Sequence, residues 1–382
     1  MIKGKKLIQI RGTGFNNKGA ELMLYAVLEK MKHEFPEAEF AMEPKTPYFK
    51  RAELRFYQIA QLRIKNFEFG ILAKLIPARI RERYGIVLIK EVDIVIDASG
   101  FQYTDQWGED RCLELADSCK RWKKNGTKVI LLPQAFGPYK SKSNQKNIKK
   151  ALDHADLVFA REKISYDYLV DVAGKRPNLK IAPDFTNLIK NIASKNFDNE
   201  NNLFCIVPNY RMVDKTNKKD SESYLPFMTE VTRYAYEKGQ KPFILVHGDI
   251  NDLILAEKIR DSVSTNIQII KETNPLKIKG ILGASSATVG SRFHGLVSAL
   301  SQGVPALAVG WSHKYQMLFE DYGFSEGLLD LHAPIDELHK KMDLFFNVTS
   351  KEKIVRMIKK NNENQKQQAQ KMWDEVIAFL KT

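Results

Sequence analysis

Cysteine is scarce: three residues in 382, at positions 112, 119 and 205. Their spacings fit neither a disulfide framework nor a zinc site. No apolar run approaches the roughly 20 residues that a membrane-crossing helix needs. The N-terminal MIKGKKLIQI is basic but leads straight into a strand-like run, without the longer apolar stretch and small-residue cleavage site of a secretory signal. Short-period repeats and low-complexity segments are missing as well. These absences lead us to expect a cytoplasmic protein.

The usual cofactor signatures are also lacking. RGTGFNNKGAELM follows a strand and opens a helix, an arrangement whose backbone amides suit an anion. Asn17, however, stands where a dinucleotide fingerprint wants its last glycine, and Ala20 follows Gly19 where a P-loop needs lysine. What remains is a tight turn presenting Asn16, Asn17 and Lys18; a purely structural βα turn accounts for it equally. There is no Asp-x-Asp element and no His-x-x-x-His pair, so we expect no essential metal and no bound cofactor.

Acidic residues are in deficit. Sixty Lys and Arg against 46 Asp and Glu leave a net charge of +14. The excess is spread along the chain and no helix-turn-helix, RRM or zinc-finger pattern accompanies it, so we expect no nucleic-acid partner. An anionic substrate, an anionic membrane face or a lysine-rich surface without a specific partner explains the charge as well.

What is present is alternation. KLIQIRG, AEFAMEP, DIVIDASG, KVILLPQ, DLVFARE and LKIAPDF read as strands, with amphipathic helices such as AELMLYAVLEKMKHEF and DRCLELADSCKRWKKNG between several of them. Polar NIASKNFDNENN interrupts the series. A second βα series then runs through NLFCIVPNY, KPFILVHGD, IQIIKE, ATVGSR and PALAVGW. Alternating β and α implies parallel sheets covered on both faces. We expect an α/β protein of two Rossmann-like domains facing a cleft, residues 1–195 and 196–350. A helix over 351–382 should cross back to the N-terminal domain. Ligands of such sheets sit beyond the C-terminal ends of the strands.

Residues 49–84 depart from the pattern. They mix aromatics and aliphatics with Lys50, Arg51, Arg55, Arg63, Lys65, Lys74, Arg79, Arg81 and Arg83. An apolar and basic surface suits an anionic membrane face; a helical insertion packed on the sheet is the simpler alternative.

Three strand ends carry candidate chemistry. In DASGFQYTDQWG, Gln102, Tyr103, Asp105 and Trp107 have the amides, hydroxyls and rings that bond or stack on a sugar, although many loops share that composition. In GSRFHGLVSALSQGVPALAVGWSHKY, Ser291, Arg292 and His294 open a helix after one strand, and His313 and Lys314 follow the next. Arginine matches carboxylate and phosphate oxygens two at a time, and lysine adds a point charge. Histidine titrates near neutrality and can move protons. Three such groups on neighbouring strand ends favour an anion site over structural roles. His247 and Asp249, in VHGD, end another strand and are equally compatible with a structural role.

The same C-terminal segment resembles the signature of the polysaccharide pyruvyl transferase family: Arg-x-His, a small-residue helix, Gly-x-Pro, a strand, then lysine before an apolar helix. GTGFNNKGAELM, PQAFGP, FAREKISYDYL and APDF resemble its other motifs, over about residues 7–325. The resemblance implies a glycosyltransferase-B-like fold and transfer of pyruvate from phosphoenolpyruvate to a sugar of a surface polysaccharide or its lipid-linked precursor, closing a ketal. It implies Arg292 and His294 in catalysis, with Arg292, Lys314, Arg161 and Ser291 on the donor. Asn16, Asn17, Gln102, Asp105, Trp107 and His247 are the expected acceptor contacts, the N-terminal domain being the acceptor side. The rival readings are a nucleotide-sugar glycosyltransferase of the same fold, a lipid-binding assembly protein of the envelope, and a nucleic-acid binder.

Overall fold

A computed structural model describes residues 4–61, 63–64, 67–195, 197–263 and 266–382. Lys65 and Asn196, invoked above, lie outside them. The chain divides into two compact units. One runs to Phe15, then over Met23–Phe185 and Ala369–Thr382; the other comprises Asn16–Leu22 and Thr186–Gln368.

The strands are β1 Leu7–Arg11, β2 Glu39–Met42, β3 Tyr57–Ile59, β4 Arg63–Ile64, β5 Phe67–Glu68, β6 Ile86–Val87, β7 Ile94–Asp97, β8 Lys128–Gln134, β9 Leu157–Ala160 and β10 Leu179–Ile181 in the first unit. The second holds β11 Phe204–Val207, β12 Pro242–Val246, β13 Gln268–Lys271, β14 Ala287–Gly290 and β15 Ala306–Ala308. The first unit's main sheet has eight parallel strands in the order β10-β9-β8-β7-β1-β2-β3-β6, and the second unit's has five in the order β13-β12-β11-β14-β15. Central strands are buried along their whole length, as helices on both faces require. All eleven segments read as strands in the sequence are strands here.

The order of each sheet reverses once. In the first, the chain steps outward from β1 through β2 and β3 to β6, then returns to the other side of β1 with β7. In the second, it steps from β11 through β12 to β13 and returns with β14. The crevice beyond the C-terminal ends of β1 and β7, and that beyond β11 and β14, are therefore where ligands of such sheets sit.

Residues 49–84 are only partly helical. Tyr48–Glu53 and Ala78–Arg83 are short helices, but Tyr57–Ile59 joins the main sheet beside β2 and is followed there by β6. Runs of two or three residues are too short for a period-2 pattern to register.

The last helix, Val348–Lys381, has 34 residues. Within the second unit Asn362 donates to the Ser301 carbonyl at 3.0 Å. Within the first, Trp373 packs edge-on against Phe185 at 6.0 Å between ring centroids, and Glu375 pairs with Lys180.

Candidate functional site

The switch point of the second sheet is built on Ser291. Its amide donates to Val207 O at 3.0 Å, tying the end of β14 to that of β11. Its carbonyl accepts from Asn209 Nδ2 and from the Tyr315 hydroxyl, both at 2.8 Å, and its own hydroxyl accepts from Tyr224 at 2.9 Å. Ser291 is completely buried and holds the strand end in place.

Arg292, the next residue, caps the eight-residue helix Phe293–Leu300. Its Nε donates to Asp252 Oδ2 at 2.8 Å and its Nη2 to Oδ1 at 2.5 Å. Asp252 is fully buried and also accepts from the Tyr210 amide at 2.9 Å. This two-point pairing fixes the guanidinium plane and leaves Nη1 outside the pair. Gly248 lies against both partners; a Cβ there would clash with each.

His294 follows two residues on and meets the first turn of helix Lys18–Glu34, whose residues up to Leu22 belong to this unit. A Cβ on Gly19 would lie 2.5 Å from His294 Nδ1 and 2.9 Å from its Cβ and Cγ, so only glycine allows the approach. Asn17 accepts from the Gly19 amide at 2.9 Å and Lys18 pairs with Glu21 at 2.6 Å. Asn16 and Asn17 are exposed.

His247, just past the end of β12, is buried, and its Nδ1 meets no hydrogen-bond partner among the described residues. Burial, then the charges of Arg292, His294 and Lys18, push its pKa down to about 3, so it is neutral at physiological pH. Lys314 follows β15 and is buried among three rings, its Nζ 5.3 Å from the centroids of Trp311 and Tyr315 and 5.4 Å from that of Phe293. The ring faces stabilise the ammonium.

The second unit thus brings Arg292, His294, His247, Asn17 and Lys18 to strand ends and helix starts around one switch point, with Asp252 paired to Arg292. A family model, Polysaccharide pyruvyl transferase, matches residues 17–313. The chain belongs to the polysaccharide pyruvyl transferase family. The motif segments of this pyruvyl transferase family member that precede β11 include the pair Arg161 and Asp184, from ARE and APDF. Arg161 Nη1 donates to Asp184 Oδ2 at 3.2 Å and both are buried in the first unit.

The remaining candidates also belong to the first unit. Asp105 accepts from Asn144 Nδ2 at 2.7 Å and from the Ser141 amide at 3.0 Å, fastening the start of helix Lys142–His154. Burial raises its pKa, but the bonds from Asn144, Ser141 and Lys140 outweigh that and leave it lowered. Trp107 donates to the Phe101 carbonyl at 3.0 Å and is 37% exposed. Gln102 donates to Ser99, whose hydroxyl donates to the buried carboxylate of Asp97 at 2.5 Å. Sequence reasoning passed over Asp252 and Asn209: nothing in their spacing announces a partner on another strand end.

Solved structures that share the fold include the following three. Anabaena Alr3699/HepE in complex with UDP and glucose is 12% identical, with a TM-score of 0.58, covering 99% of this chain and 100% of that one. A putative UDP-N-acetylglucosamine 2-epimerase from Listeria monocytogenes is 14% identical, with a TM-score of 0.60 over 92% and 90%. Acinetobacter baumannii MurG is 11% identical, with a TM-score of 0.51 over 97% and 99%. The protein thus has the two-sheet α/β architecture of glycosyltransferase-B-like enzymes and epimerases.

Proposed function

We propose that this chain transfers the pyruvyl group of phosphoenolpyruvate to a sugar of a surface polysaccharide or its lipid-linked precursor, closing a ketal. The observation that carries the reading is the oriented Arg292–Asp252 pair beside His294 at the switch point of the second sheet, in a member of this family. Phosphoenolpyruvate holds a carboxylate and a phosphate close together, which suits a guanidinium whose Nε and Nη2 are held by a carboxylate and whose Nη1 lies outside that pair. Arg292 binds the donor, Lys314 adds charge from its aromatic surround, and Arg161 assists the departing phosphate. Ser291 serves the donor by holding the strand end.

The chemistry balances without a redox partner. One sugar hydroxyl adds to C2 of the donor, its proton leaves to a base, and C3 takes up a proton to become the methyl group. Phosphate then departs from C2 and a second hydroxyl of the same sugar takes its place, releasing its own proton. His294 moves the protons at the first step, and neutral His247 accepts or donates a hydrogen bond without competing for the donor's negative charge. Asn16, Asn17, Gln102, Asp105 and Trp107 serve the acceptor, directly or by shaping its loops.

The same reading assigns residues 49–84 to an anionic membrane face. Leu72, Leu75, Ile80 and Tyr84 are exposed there, Leu75 by 81%, with Lys74, Arg79 and Arg83 exposed among them. Among the described residues no helix is long and apolar enough to cross a membrane, so such contact would be peripheral.

Calorimetric titration with phosphoenolpyruvate tests the donor, with Arg292→Ala as the control. Binding to the wild type that is lost in the folded variant supports the assignment. UDP binds Anabaena HepE and is the donor fragment of the rival nucleotide-sugar reading; heat with UDP and none with phosphoenolpyruvate would establish that rival instead. His294→Ala should lower turnover by roughly 10²–10⁴, and a variant of near wild-type rate would remove His294 from proton transfer.

A further inference from the structure

Arg292 is not the only cation at the second sheet's switch point that a buried acid holds. Lys18 opens helix Lys18–Glu34, and its Nζ donates to Glu21 Oε2 at 2.6 Å, one turn further on. In both pairs the acid is the inner member. The Glu21 side chain is 4% exposed against 16% for Lys18, and that of Asp252 is completely buried against 12% for Arg292. The outward member of each pair is the cation, the end that a ligand reaches. The bond to Glu21 uses one of the three N–H donors of the ammonium.

The Lys18–Glu21 pair is poorly placed for the helix itself. A helix N-terminus carries partial positive charge, which favours acids there and disfavours lysine. A lysine that precedes its acid along a helix is also the weaker order of ion pair. Neighbouring cationic groups add to the cost. Gly19, next in sequence, packs on the His294 ring. His247, neutral chiefly through burial, also feels the charges of Arg292, His294 and Lys18. Asn16–Leu22, which carries Lys18, belongs to the same compact unit as all three. Positive groups gathered in this way repel one another unless an anion joins them, and local conflicts of this kind concentrate at functional sites.

The side-chain type narrows the anion. Lysine is a compact point charge whose donors turn freely, which suits the tetrahedral oxygens of a phosphoryl group. The planar arginine fork matches a carboxylate equally well.

We infer that Lys18 is a phosphoryl-binding residue of the donor site, its ammonium aimed by Glu21 as the Arg292 guanidinium is aimed by Asp252. The inference rests on the proposed pyruvyl transfer for the source of the phosphoryl group. That source is phosphoenolpyruvate in the proposed reaction and a nucleoside diphosphate in the rival one.

Phosphorus NMR of inorganic phosphate, phosphoenolpyruvate and UDP, each titrated with the full chain, tests it. Lys18→Met alone strands the buried Glu21 carboxylate, so it is made together with Glu21→Gln, and circular dichroism checks the fold. Affinity for inorganic phosphate, and for whichever donor binds the wild type, should fall about tenfold or more in the double variant. Glu21→Gln alone keeps an acceptor for the ammonium and removes a negative charge. It should bind phosphate at least as tightly as the wild type. The contrast separates a ligand contact from a structural pair, whose loss would weaken both variants alike. Wild-type affinity in the double variant, or weaker binding by Glu21→Gln alone, would overturn the inference. So would a wild type that binds none of the three probes. Phosphoenolpyruvate binding that survives in the double variant removes Lys18 and leaves the proposed reaction. UDP binding that depends on Lys18, with no phosphoenolpyruvate binding, removes the reaction and leaves Lys18.

Discussion

Arg292 and Asp252 meet through two hydrogen bonds, Nε to Oδ2 at 2.8 Å and Nη2 to Oδ1 at 2.5 Å, and the carboxylate is fully buried. The cation at the heart of the candidate site is therefore not simply exposed to a ligand; it is aimed by a second residue that also binds the Tyr210 amide.

Removing that partner should be costly twice over. Asp252→Ala strands a largely buried guanidinium, a change of roughly 3–5 kcal/mol. Asp252→Asn keeps the shape and one acceptor, and should lower phosphoenolpyruvate affinity about tenfold while leaving the protein folded. Urea unfolding and calorimetry read the two effects. An Asp252→Asn protein that binds donor as the wild type does would show that the pair is structural only.

Gly19→Ala is a sign test. Alanine is the better helix former by about 1 kcal/mol, so an ordinary helix would gain stability. Here the added methyl would enter the His294 ring. We expect the melting temperature to fall. A rise would mean that the helix and His294 do not touch as described.

His247 makes stability depend on pH. Its pKa falls from 6.5 to about 3 on folding, chiefly through burial. The unfolded chain thus binds the proton more readily, so the stabilising contribution is complete above pH 6.5 and is lost progressively as pH falls toward 3. Between pH 7 and 5.5 the loss amounts to about 1 kcal/mol. His247→Gln should lack this component, and denaturant titrations at the two pH values compare the slopes. Equal slopes in wild type and variant would place the imidazole in contact with water.

The exposed run from Leu72 to Tyr84 predicts binding to vesicles containing phosphatidylserine, weaker on phosphatidylcholine alone and weakened by salt. Leu75→Ser with Tyr84→Ser should reduce cosedimentation without altering phosphoenolpyruvate binding. Cosedimentation that ignores lipid charge, or that survives both substitutions, would rule this face out.

Local pattern was enough for the β and α elements and for the family. Short apolar runs before Gly12, Gly100 and Ser291 mark strand ends, and the Arg292-x-His294 segment carries the family's signature. Period and turn chemistry are properties of neighbouring residues, so they are visible in one dimension. The short strands β3 and β6 escaped because two or three residues hold no period.

Side-chain partnership is not local, and the tertiary structure alone decided it. Asp252 reaches Arg292 from the helix after β12, and Gly19 reaches His294 from near the start of the chain. Arg11 gathers Glu43, Asp97 and Glu114 from three separate segments. The sequence by itself determined which residue types stand at the strand ends. The order in which the strands lie in each sheet determined which of those ends are neighbours, because charges and hydrogen bonds act over a few ångströms of space.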